Sequence, residues 1–349
     1  TGHTGFKGSW LSIWLESLGA KVFGISDSIP TIPSHFSASK LNQRATNFTA
    51  DISQIDSIRK IIKDIKPDFL FHLAAQPLVK ISYENPFLTW RSNTLGTVSI
   101  LESLRLLDHK CVSIFITSDK CYENLEWSWG YRENDRIGGI DPYSASKGGA
   151  ELAIKSYANC FFRDGNTKLA IGRAGNVIGG GDWSPYRLVP DCIRSWSESK
   201  KVTIRNPIAT RPWQHVLEPL SGYLLLASNL CLNEKLRGEP YNFGPAANQN
   251  FTVIEVVKEM AKYWDKVQWE ISEKTDFSES GLLKLNCDKA LNDLSWEPVW
   301  TFEETIQSTV KWYKSFYDNT QDIFSLSSEQ ISNYIESANK KGLDWANVE

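Results

Sequence analysis

The sequence is organised around residues 114–147, which begin IFITSDKCY (114–122) and end YSASK (143–147). The apolar start predicts a buried strand, and Asp141-Pro142 predicts a helix that begins just before Tyr143. On that helix Tyr143 and Lys147 are four residues apart and therefore lie on one face. A fixed ammonium beside a phenol favours the phenolate and lowers the pKa of the phenol. The pair therefore predicts a base that takes a proton from a substrate hydroxyl.

An isolated Tyr–Lys pair is more often part of an ordinary solvated helix face than of a catalytic site. Here the neighbours at 144–146, 148 and 149 are small, which leaves room for a bulky ligand to approach the pair. The catalytic interpretation therefore depends on a nucleotide site elsewhere in the chain.

Composition and charge exclude several classes of protein. The chain has 349 residues and a formal net charge of -3, and no basic run is present, which argues against a nucleic-acid binder. No apolar stretch approaches the roughly 18 residues of a membrane span. The six Cys are scattered without a CxxC and the five His include no HExxH, so we expect free thiols, no metal site and a cytoplasmic location.

A glycine-rich turn opens the chain as GHTGFKG (2–8). Gly2, Gly5 and Gly8 match a GxxGxxG pattern, whose glycines allow a tight turn, close approach of a pyrophosphate and close helix packing. Such a turn normally follows a strand. We therefore expect that roughly eight to twelve residues are missing before it and that the chain is a fragment of a longer reading frame.

Acidic residues follow two of the next predicted elements. A strand is predicted at 20–26, and Asp27 then lies where an acid binds the adenosine ribose of a dinucleotide. Ser26 is the alternative at this strand end, so the preference for NAD over NADP stays open. Asp51 is predicted either to reach the adenine or to cap the next helix.

Strands and helices alternate along the first half of the chain, which predicts an α/β fold with a doubly wound parallel sheet, a Rossmann domain. Ligands bind at the carboxyl ends of the strands in such sheets. The segments expected there, besides the glycine turn and Asp27, are 74–75, 117–120 and 173–176. Beyond residue 183 the alternation weakens, and Arg205 and Arg211 are candidates for binding phosphate through their forked donors.

Together these motifs resemble the extended short-chain dehydrogenase/reductase family along nearly the whole chain, to about residue 317. Within it, TSDKCY (117–122), RAGNVIGGGDW (173–183) and RPWQHV (211–216) resemble the branch of CDP-glucose 4,6-dehydratases. Most sugar-nucleotide 4,6-dehydratases carry Asp-Glu where this chain has Asp119-Lys120. An epimerase of the same fold would need only the Tyr–Lys pair, and a non-catalytic dinucleotide-binding module only the glycine turn.

The resemblance implies NAD as cofactor, CDP-glucose as substrate and a set of site residues. The implied catalytic residues are Ser118, Asp119, Lys120, Tyr143 and Lys147. The implied cofactor-binding residues are Gly2, Thr4, Gly5, Phe6, Gly8, Ser26, Asp27, Asp51, Ile52, Leu73, Ala74, Ala75, Thr117, Tyr143, Lys147 and Arg173. The implied substrate-binding residues are Gln76, Asn176, Arg187, Arg205, Arg211 and His215.

The chemistry implied by the resemblance is an internal redox cycle. Tyr143 takes the proton of the glucose 4-hydroxyl as C4 is oxidised, water is then lost across C5 and C6, and hydride returns to C6. Asp119 is expected to protonate the departing 6-hydroxyl. Lys120 is expected either to remove the C5 proton or to stabilise the enolate as a cation.

Two further expectations concern organisation. We expect an NAD-binding domain at 1–178 plus about 212–238, and a smaller α/β sugar-nucleotide domain at about 179–211 plus 239–349. We also expect a homodimer through helices at 85–107 and 142–162, because both have apolar positions on more than one side.

Overall fold

Short parallel strands alternate with helices in a computed structural model that describes residues 1–247, 249–272 and 282–347. In that part of the chain the strands are β1 (Phe23–Ser26), β2 (Thr46–Thr49), β3 (Phe69–His72), β4 (Cys111–Ile116), β5 (Thr167–Ala174), β6 (Val177–Ile178), β7 (Val202–Ile204), β8 (Thr210–Arg211), β9 (Gln214–His215), β10 (Pro240–Phe243), β11 (Phe251–Thr252) and β12 (Trp269–Ile271). The helices are α1 (Phe6–Ser17), α2 (His35–Ala38), α3 (Ile55–Ile65), α4 (Val79–Glu84), α5 (Pro86–Trp90), α6 (Gly96–Arg105), α7 (Pro142–Phe161), α8 (Leu188–Ser197), α9 (Leu217–Leu232), α10 (Val253–Met260), α11 (Asp288–Leu294), α12 (Phe302–Asp318) and α13 (Ile323–Lys340).

The main sheet has the strand order β10-β5-β4-β3, and every pair in it is parallel. Its central strands are buried on both faces, as expected when helices cover both sides of a sheet. Ile114 and Ile116 of β4 pack in the core that contains α1 and α9, whereas Phe115 packs in the core that contains α3 and α6. The predicted doubly wound α/β fold is confirmed.

β1 and β2 form a separate parallel pair, and a cleft of about 990 Å³ lies between β1 and β3. Apolar side chains of α1, β1 and β3 line the cleft, among them Leu11, Phe23 and Leu70. The first two residues join its walls: the Thr1 amino group donates to the Phe71 carbonyl at 2.7 Å, and the Gly2 N–H donates to the Ile25 carbonyl at 2.8 Å.

Four sequence-based expectations differ from the structure. The helix predicted at 85–107 is divided into α5 and α6 by a π-helical turn, Arg91–Leu95. The segment 31–47, for which the sequence predicts no element, contains α2, and β2 begins within it at Thr46. The segment 240–243 was assigned to the second domain but pairs with β5 in the main sheet.

The fourth difference is the tail after Asp318, for which no structure was predicted and which forms α13. Its Leu326, Ile331 and Tyr334 are buried in the same core as Trp14 of α1. Polar residues dominate this segment, so its narrow apolar stripe was not recognised from the sequence.

Candidate active site

The glycine turn at the start of α1 has no space for a side chain at Gly2 or Gly8. Gly2 has a φ of +74°, and a Cβ on it would lie 2.7 Å from the Ala74 nitrogen; a Cβ on Gly8 would lie 2.1 Å from the Gly2 carbonyl oxygen. Gly5 is the N-cap of α1, and no side chain caps this 12-residue helix. Free backbone amides at a helix N-terminus favour a phosphate group. The residues present therefore fit the diphosphate of a dinucleotide, with Phe6 in the first helical turn.

Asp27 directly follows the last residue of β1 and is exposed, with its carboxylate accepting a hydrogen bond from the Ser28 hydroxyl at 3.0 Å. Ser26 is buried, and its hydroxyl lies 3.1 Å from His3 Nδ1. Thr4 donates to the Ser28 carbonyl at 2.7 Å and so fixes the segment after β1. Of the two ribose-binding candidates, Asp27 is the one whose side chain is accessible.

Asp51 has two roles in the structure at the start of α3. Its Oδ1 accepts from both the backbone nitrogen and the hydroxyl of Ser53 at 2.8 Å, and its Oδ2 pairs with Arg91 at 3.2 Å. Ile52 is buried against Gly96, where an added Cβ would come within 2.6 Å of Ile52. Asp51 therefore supports the turn before α3 but does not cap this helix, whose N-cap is Gln54 without a side-chain hydrogen bond, and its contact with the adenine stays a prediction.

The segment after β3 is hydrogen-bonded to the start of the glycine turn. The N–H groups of Leu73 and Ala74 donate to the backbone carbonyl and the hydroxyl of Thr1, each at 3.2 Å, and Ala75 follows in the same loop. The Gln76 amide is used within this loop, because it donates to Thr89 at 2.9 Å and accepts from the Leu78 nitrogen at 2.6 Å. The expected contact of Gln76 with substrate is thus replaced by a role in shaping the loop.

Tyr143, Ser118 and Asp119 meet at the carboxyl end of β4. Tyr143 is in the first turn of α7, where Asp141 caps the helix and Pro142 is the first residue, and Ser118 and Asp119 both act on its hydroxyl. The Ser118 hydroxyl donates to Asp119 Oδ1 at 2.9 Å. Asp119 Oδ2 is buried and has no partner among the described residues, so this oxygen is available to a ligand.

Burial dominates the protonation of the Tyr–Lys pair. Desolvation raises the pKa of Tyr143 to about 12, although the Ser118 hydrogen bond and the Arg187 cation oppose it. Desolvation also lowers the pKa of Lys147 to about 8, against the opposing effect of Glu151. The net shift of the Tyr143 pKa is upward because the cost of burying a phenolate exceeds the effects of Ser118 and Arg187, and Lys147 is not among the groups that act on this phenol, so the expected lowering by Lys147 is not met.

Lys120 and Arg187 complete the polar groups near Tyr143. Lys120 is half-buried in the single 3₁₀ turn Asp119–Cys121, and its backbone nitrogen donates to the Ser118 hydroxyl at 3.3 Å. Arg187 precedes α8, pairs with Asp182 at 2.7 Å and acts electrostatically on Tyr143. The segment that contains Asn176 passes the same place, since a Cβ on Gly175 would lie 3.4 Å from Asp119 Oδ2.

Two of the predicted residues lie deeper than expected. Arg173 is buried in an ion pair with Glu151, and the Thr117 hydroxyl donates to the same carboxylate at 2.5 Å. His215 is fully buried between the rings of Trp10 and Trp300. These positions place Arg173 and His215 in the packing around the site, and the predicted ligand contacts of their side chains are corrected accordingly.

The two phosphate-binding candidates lie on β-structure outside the main sheet. Arg205 follows β7, is exposed, and acts electrostatically on Asp191 of α8. Arg211 ends β8, is half-buried, and donates to the Thr210 carbonyl at 2.8 Å. Both stay predictions as ligands of a diphosphate.

The sequence analysis missed two residues near the site. Lys7, in the first turn of α1, lies 3.3 Å from the Tyr223 hydroxyl, and burial together with Lys147 and Arg187 lowers its pKa to about 7. Asn93, in the π-helical turn, donates to Ser146 beside Lys147 at 2.9 Å and accepts from the Gln76 nitrogen. A cation inside a glycine turn was a signal for Lys7, whereas a π-helical turn has no simple sequence signature.

Within the described ranges, no helix combines the length and apolar character that crossing a membrane requires. The same residues contain no cluster of three or more His, Cys, Asp or Glu side chains suited to a metal ion.

Comparison with known sequences gives a match to the family described as GDP-mannose 4,6 dehydratase over residues 1–309. The chain is 45% identical to the CDP-glucose 4,6-dehydratase of Salmonella typhimurium over 346 residues, which covers 97% of this chain and 96% of that protein. It is 24% identical to the CDP-paratose 2-epimerase of Salmonella typhi, with 90% of this chain and 98% of that protein covered.

Solved structures share the fold. The dTDP-glucose 4,6-dehydratase of Bacillus anthracis, in complex with NAD, superposes with a TM-score of 0.74 at 21% identity, covering 92% of this chain and 98% of that one. The UDP-glucuronic acid 4-epimerase of Bacillus cereus, with UDP-glucuronic acid and NAD, superposes with a TM-score of 0.77 at 22% identity, covering 90% and 98%.

Proposed function

Because this chain belongs to the GDP-mannose 4,6 dehydratase family, we propose that it is an NAD-dependent CDP-glucose 4,6-dehydratase. The reaction converts CDP-glucose to CDP-4-keto-6-deoxyglucose by oxidation at C4, loss of water across C5 and C6, and return of hydride to C6. The observation that carries the proposal is the meeting of Tyr143, Ser118 and the unpartnered Asp119 oxygen in a chain 45% identical to an enzyme of that name. An epimerase needs no acid at position 119.

The cofactor is NAD, which when bound supplies the hydride acceptor and donor of the cycle. The uncapped N-terminus of α1 and the glycine turn would hold its diphosphate, and the exposed Asp27 carboxylate would accept hydrogen bonds from the adenosine ribose. A carboxylate at that position disfavours a 2′-phosphate, which supports NAD over NADP.

Tyr143 is the group that receives the proton of the 4-hydroxyl. Ser118 favours the phenolate of Tyr143, and we propose that it bonds the C4 oxygen of the sugar as well. The pKa of about 12 for Tyr143 means that the proton must leave the phenol with help from neighbouring cations. Arg187 is one cation that acts on Tyr143, and Lys147, on the same face of α7, is proposed as the second.

The elimination step needs an acid and a base. Asp119 is buried beside Ser118, and its free Oδ2 can protonate the departing 6-hydroxyl. Lys120, in the same 3₁₀ turn, is the candidate for the group that acts on the C5 proton or on the enolate formed when it leaves. In neutral form it removes the C5 proton; as a cation it stabilises the enolate and leaves proton removal to another group.

Arg187 and Asn176 would contact the sugar, and Arg211 and Arg205 would hold the diphosphate of the substrate, each as a donor to anionic or hydroxyl oxygens. These arginines lie in segments outside the main sheet, in the region expected to form the sugar-nucleotide domain. The boundary after residue 238 moves to after β10, because β10 pairs with β5.

We further propose that the active form is a homodimer through α5, α6 and α7. Large apolar side chains are exposed along these helices: Phe87 (74%), Trp90 (41%), Leu95 (56%), Leu152 (60%) and Phe161 (51%). A second copy would bury this surface in a symmetric contact. A monomer mass in light scattering at micromolar concentration would contradict this part of the proposal.

A cytoplasmic location is part of the proposal and is supported by six free cysteines, of which three are buried. Thiols that stay unpaired are typical of a reducing compartment.

The test of the proposed function is incubation with NAD and, separately, CDP-, UDP-, GDP- and dTDP-glucose. We expect a 4-ketosugar from CDP-glucose, detected by its alkali-dependent ultraviolet absorbance and by a mass 18 Da below that of the substrate, the mass of one water, with no net formation of NADH. Conversion of CDP-glucose to an isomer of the same mass would favour the epimerase, and activity with another nucleotide alone would overturn the substrate assignment.

A further inference from the structure

A buried ion pair between Glu151 of α7 and Arg173 of β5 lies next to the catalytic segment 118–120. Their side chains are 1% and 2% exposed, and two guanidinium nitrogens of Arg173 donate to the two carboxylate oxygens of Glu151 at 2.8 and 2.9 Å. A buried pair of this kind contributes little net stability because both charges lose their hydration. A role in fixing geometry is therefore worth testing for this pair.

The pair anchors the catalytic segment at both of its ends. Before Ser118, the Thr117 hydroxyl donates to Glu151 at 2.5 Å. After Lys120, the Tyr122 hydroxyl accepts from Arg173 at 2.7 Å, and Glu151 acts electrostatically on the Cys121 thiol. One hydrogen bond on each side thus holds the two ends of a turn whose middle carries Ser118, Asp119 and Lys120.

Glu151 also lies one helical turn from Lys147, on the same face of α7. The other titratable groups that act on Lys147, or on which it acts, are Cys121, Lys7 of α1 and His72 of β3. Burial raises the pKa of Cys121 well above its usual range and lowers that of His72, so both are neutral at physiological pH. Within this group Glu151 supplies the negative charge.

We propose that Glu151, held by Arg173, is a positioning residue that fixes the Ser118–Lys120 turn against α7 and places a compensating negative charge beside Lys147. The inference rests on the proposed function, in which Lys147 acts as a cation beside Tyr143. The Glu151 side chain is 1% exposed, so its role in this proposal is indirect. It acts through Thr117, Cys121 and Lys147.

The proposal has a definite consequence for the pH profile. A carboxylate beside an ammonium raises the pKa of the ammonium, so removing the carboxylate lowers it. Activity that requires charged Lys147 is lost as pH rises through the pKa of Lys147. In Glu151→Gln the alkaline limb of the kcat profile should therefore move to lower pH, by about 1 pH unit.

The experiment compares Glu151→Gln, Glu151→Asp and the double variant Glu151→Gln/Arg173→Met with the wild type. We expect Glu151→Gln to lower kcat with little change in KM for CDP-glucose and to shift the alkaline limb. Glu151→Asp keeps the carboxylate charge, so the alkaline limb of its kcat profile should stay at the wild-type pH. The double variant also removes the charge of Arg173 that Glu151→Gln leaves uncompensated, so its melting temperature should be higher than that of Glu151→Gln. The alkaline limb of its kcat profile should stay shifted to lower pH.

Glu218→Gln is the matched control, because Glu218 is a buried carboxylate at the start of α9 that accepts hydrogen bonds from two backbone nitrogens and Tyr334. It should lower the melting temperature without moving the limb. A Glu151→Gln protein with a lower melting temperature but the wild-type limb and kcat would show a purely structural role and overturn the proposal. Two outcomes remain decisive if Glu151→Gln does not fold. The proposal is overturned if the alkaline limb of the kcat profile lies at the wild-type pH in the double variant, or if this limb is shifted in Glu151→Asp.

A direct readout separates this inference from the proposed function. A ¹⁵N NMR titration of the Lys147 side chain needs no turnover. A lower pKa of Lys147 in Glu151→Gln would support the inference even if CDP-glucose proved not to be the substrate, whereas an unchanged pKa in an active enzyme would reject it alone.

Discussion

Ser118, in the segment after β4, acts on the hydroxyl of Tyr143 in the first turn of α7 and opposes the rise that burial causes in the pKa of this phenol. These residues are 25 positions apart in the sequence, and the fold brings them together because the 3₁₀ turn after β4 packs against α7. The Ser118 hydroxyl continues to Asp119 at 2.9 Å. Proton acceptance at C4 and proton donation at C6 are thus assigned to neighbouring side chains.

Tyr143→Phe should abolish the first step, because the phenol oxygen that receives the 4-hydroxyl proton is removed. We expect turnover to fall by about 10²- to 10⁴-fold, with no transient absorbance of NADH at 340 nm in stopped flow. Tyr157→Phe is the control on the same helix, since its hydroxyl bonds Glu102 away from the site. NADH formation at the wild-type rate in Tyr143→Phe would reject the role of this residue.

Asp119→Asn should separate oxidation from dehydration. The amide cannot protonate a departing hydroxyl, whereas Tyr143 and Ser118 are retained. We expect NADH to accumulate and the C5 proton to exchange with deuterated solvent while no 6-deoxy product forms. Full dehydration by Asp119→Asn would assign the acid to another group.

Lys120→Met tests the base and the cation roles of Lys120 against each other. If Lys120 is the base, exchange of the C5 proton should disappear while NADH still forms. If it acts as a charge, exchange should slow but persist, because the enolate is less stable without the cation. C5 exchange at the wild-type rate would exclude both roles.

Gly8→Ala should weaken folding and cofactor retention together. The new Cβ would lie 2.1 Å from the Gly2 carbonyl, which is backbone and cannot move aside freely. We expect a loss of about 1–3 kcal/mol in the free energy of unfolding and a lower affinity for NAD, measured by denaturation and by fluorescence titration. Gly165→Ala, where the nearest atom is 3.8 Å away, is the control and should change neither quantity.

Much of the fold was predictable because the deciding signals are local. The buried run at 114–116 and the Asp141-Pro142 helix start correspond to β4 and α7. The glycine turn was predictable for the same reason, since close packing at Gly2 and Gly8 leaves glycine as the residue that fits.

The misplaced residues share a different cause. The family resemblance implied ligand contacts for Arg173 and His215, yet each is buried by partners far away in the sequence: Glu151 for Arg173, and Trp10 and Trp300 for His215. The roles of Gln76 and Lys7 likewise depend on neighbours such as Thr89 and Tyr223. Local pattern gives a side chain's position at a strand end, but tertiary packing decides where it points.

The most direct test of the proposed function is the fate of the hydrogen on C4 of the substrate. CDP-glucose carrying deuterium at C4 should give CDP-4-keto-6-deoxyglucose with that deuterium on C6, seen by NMR and mass spectrometry, because hydride leaves C4 and returns to C6 within one site. In deuterated water the product should also gain one deuterium at C5. Deuterium kept at C4 of an epimeric sugar, or a keto product with no deuterium at C6, would contradict the account.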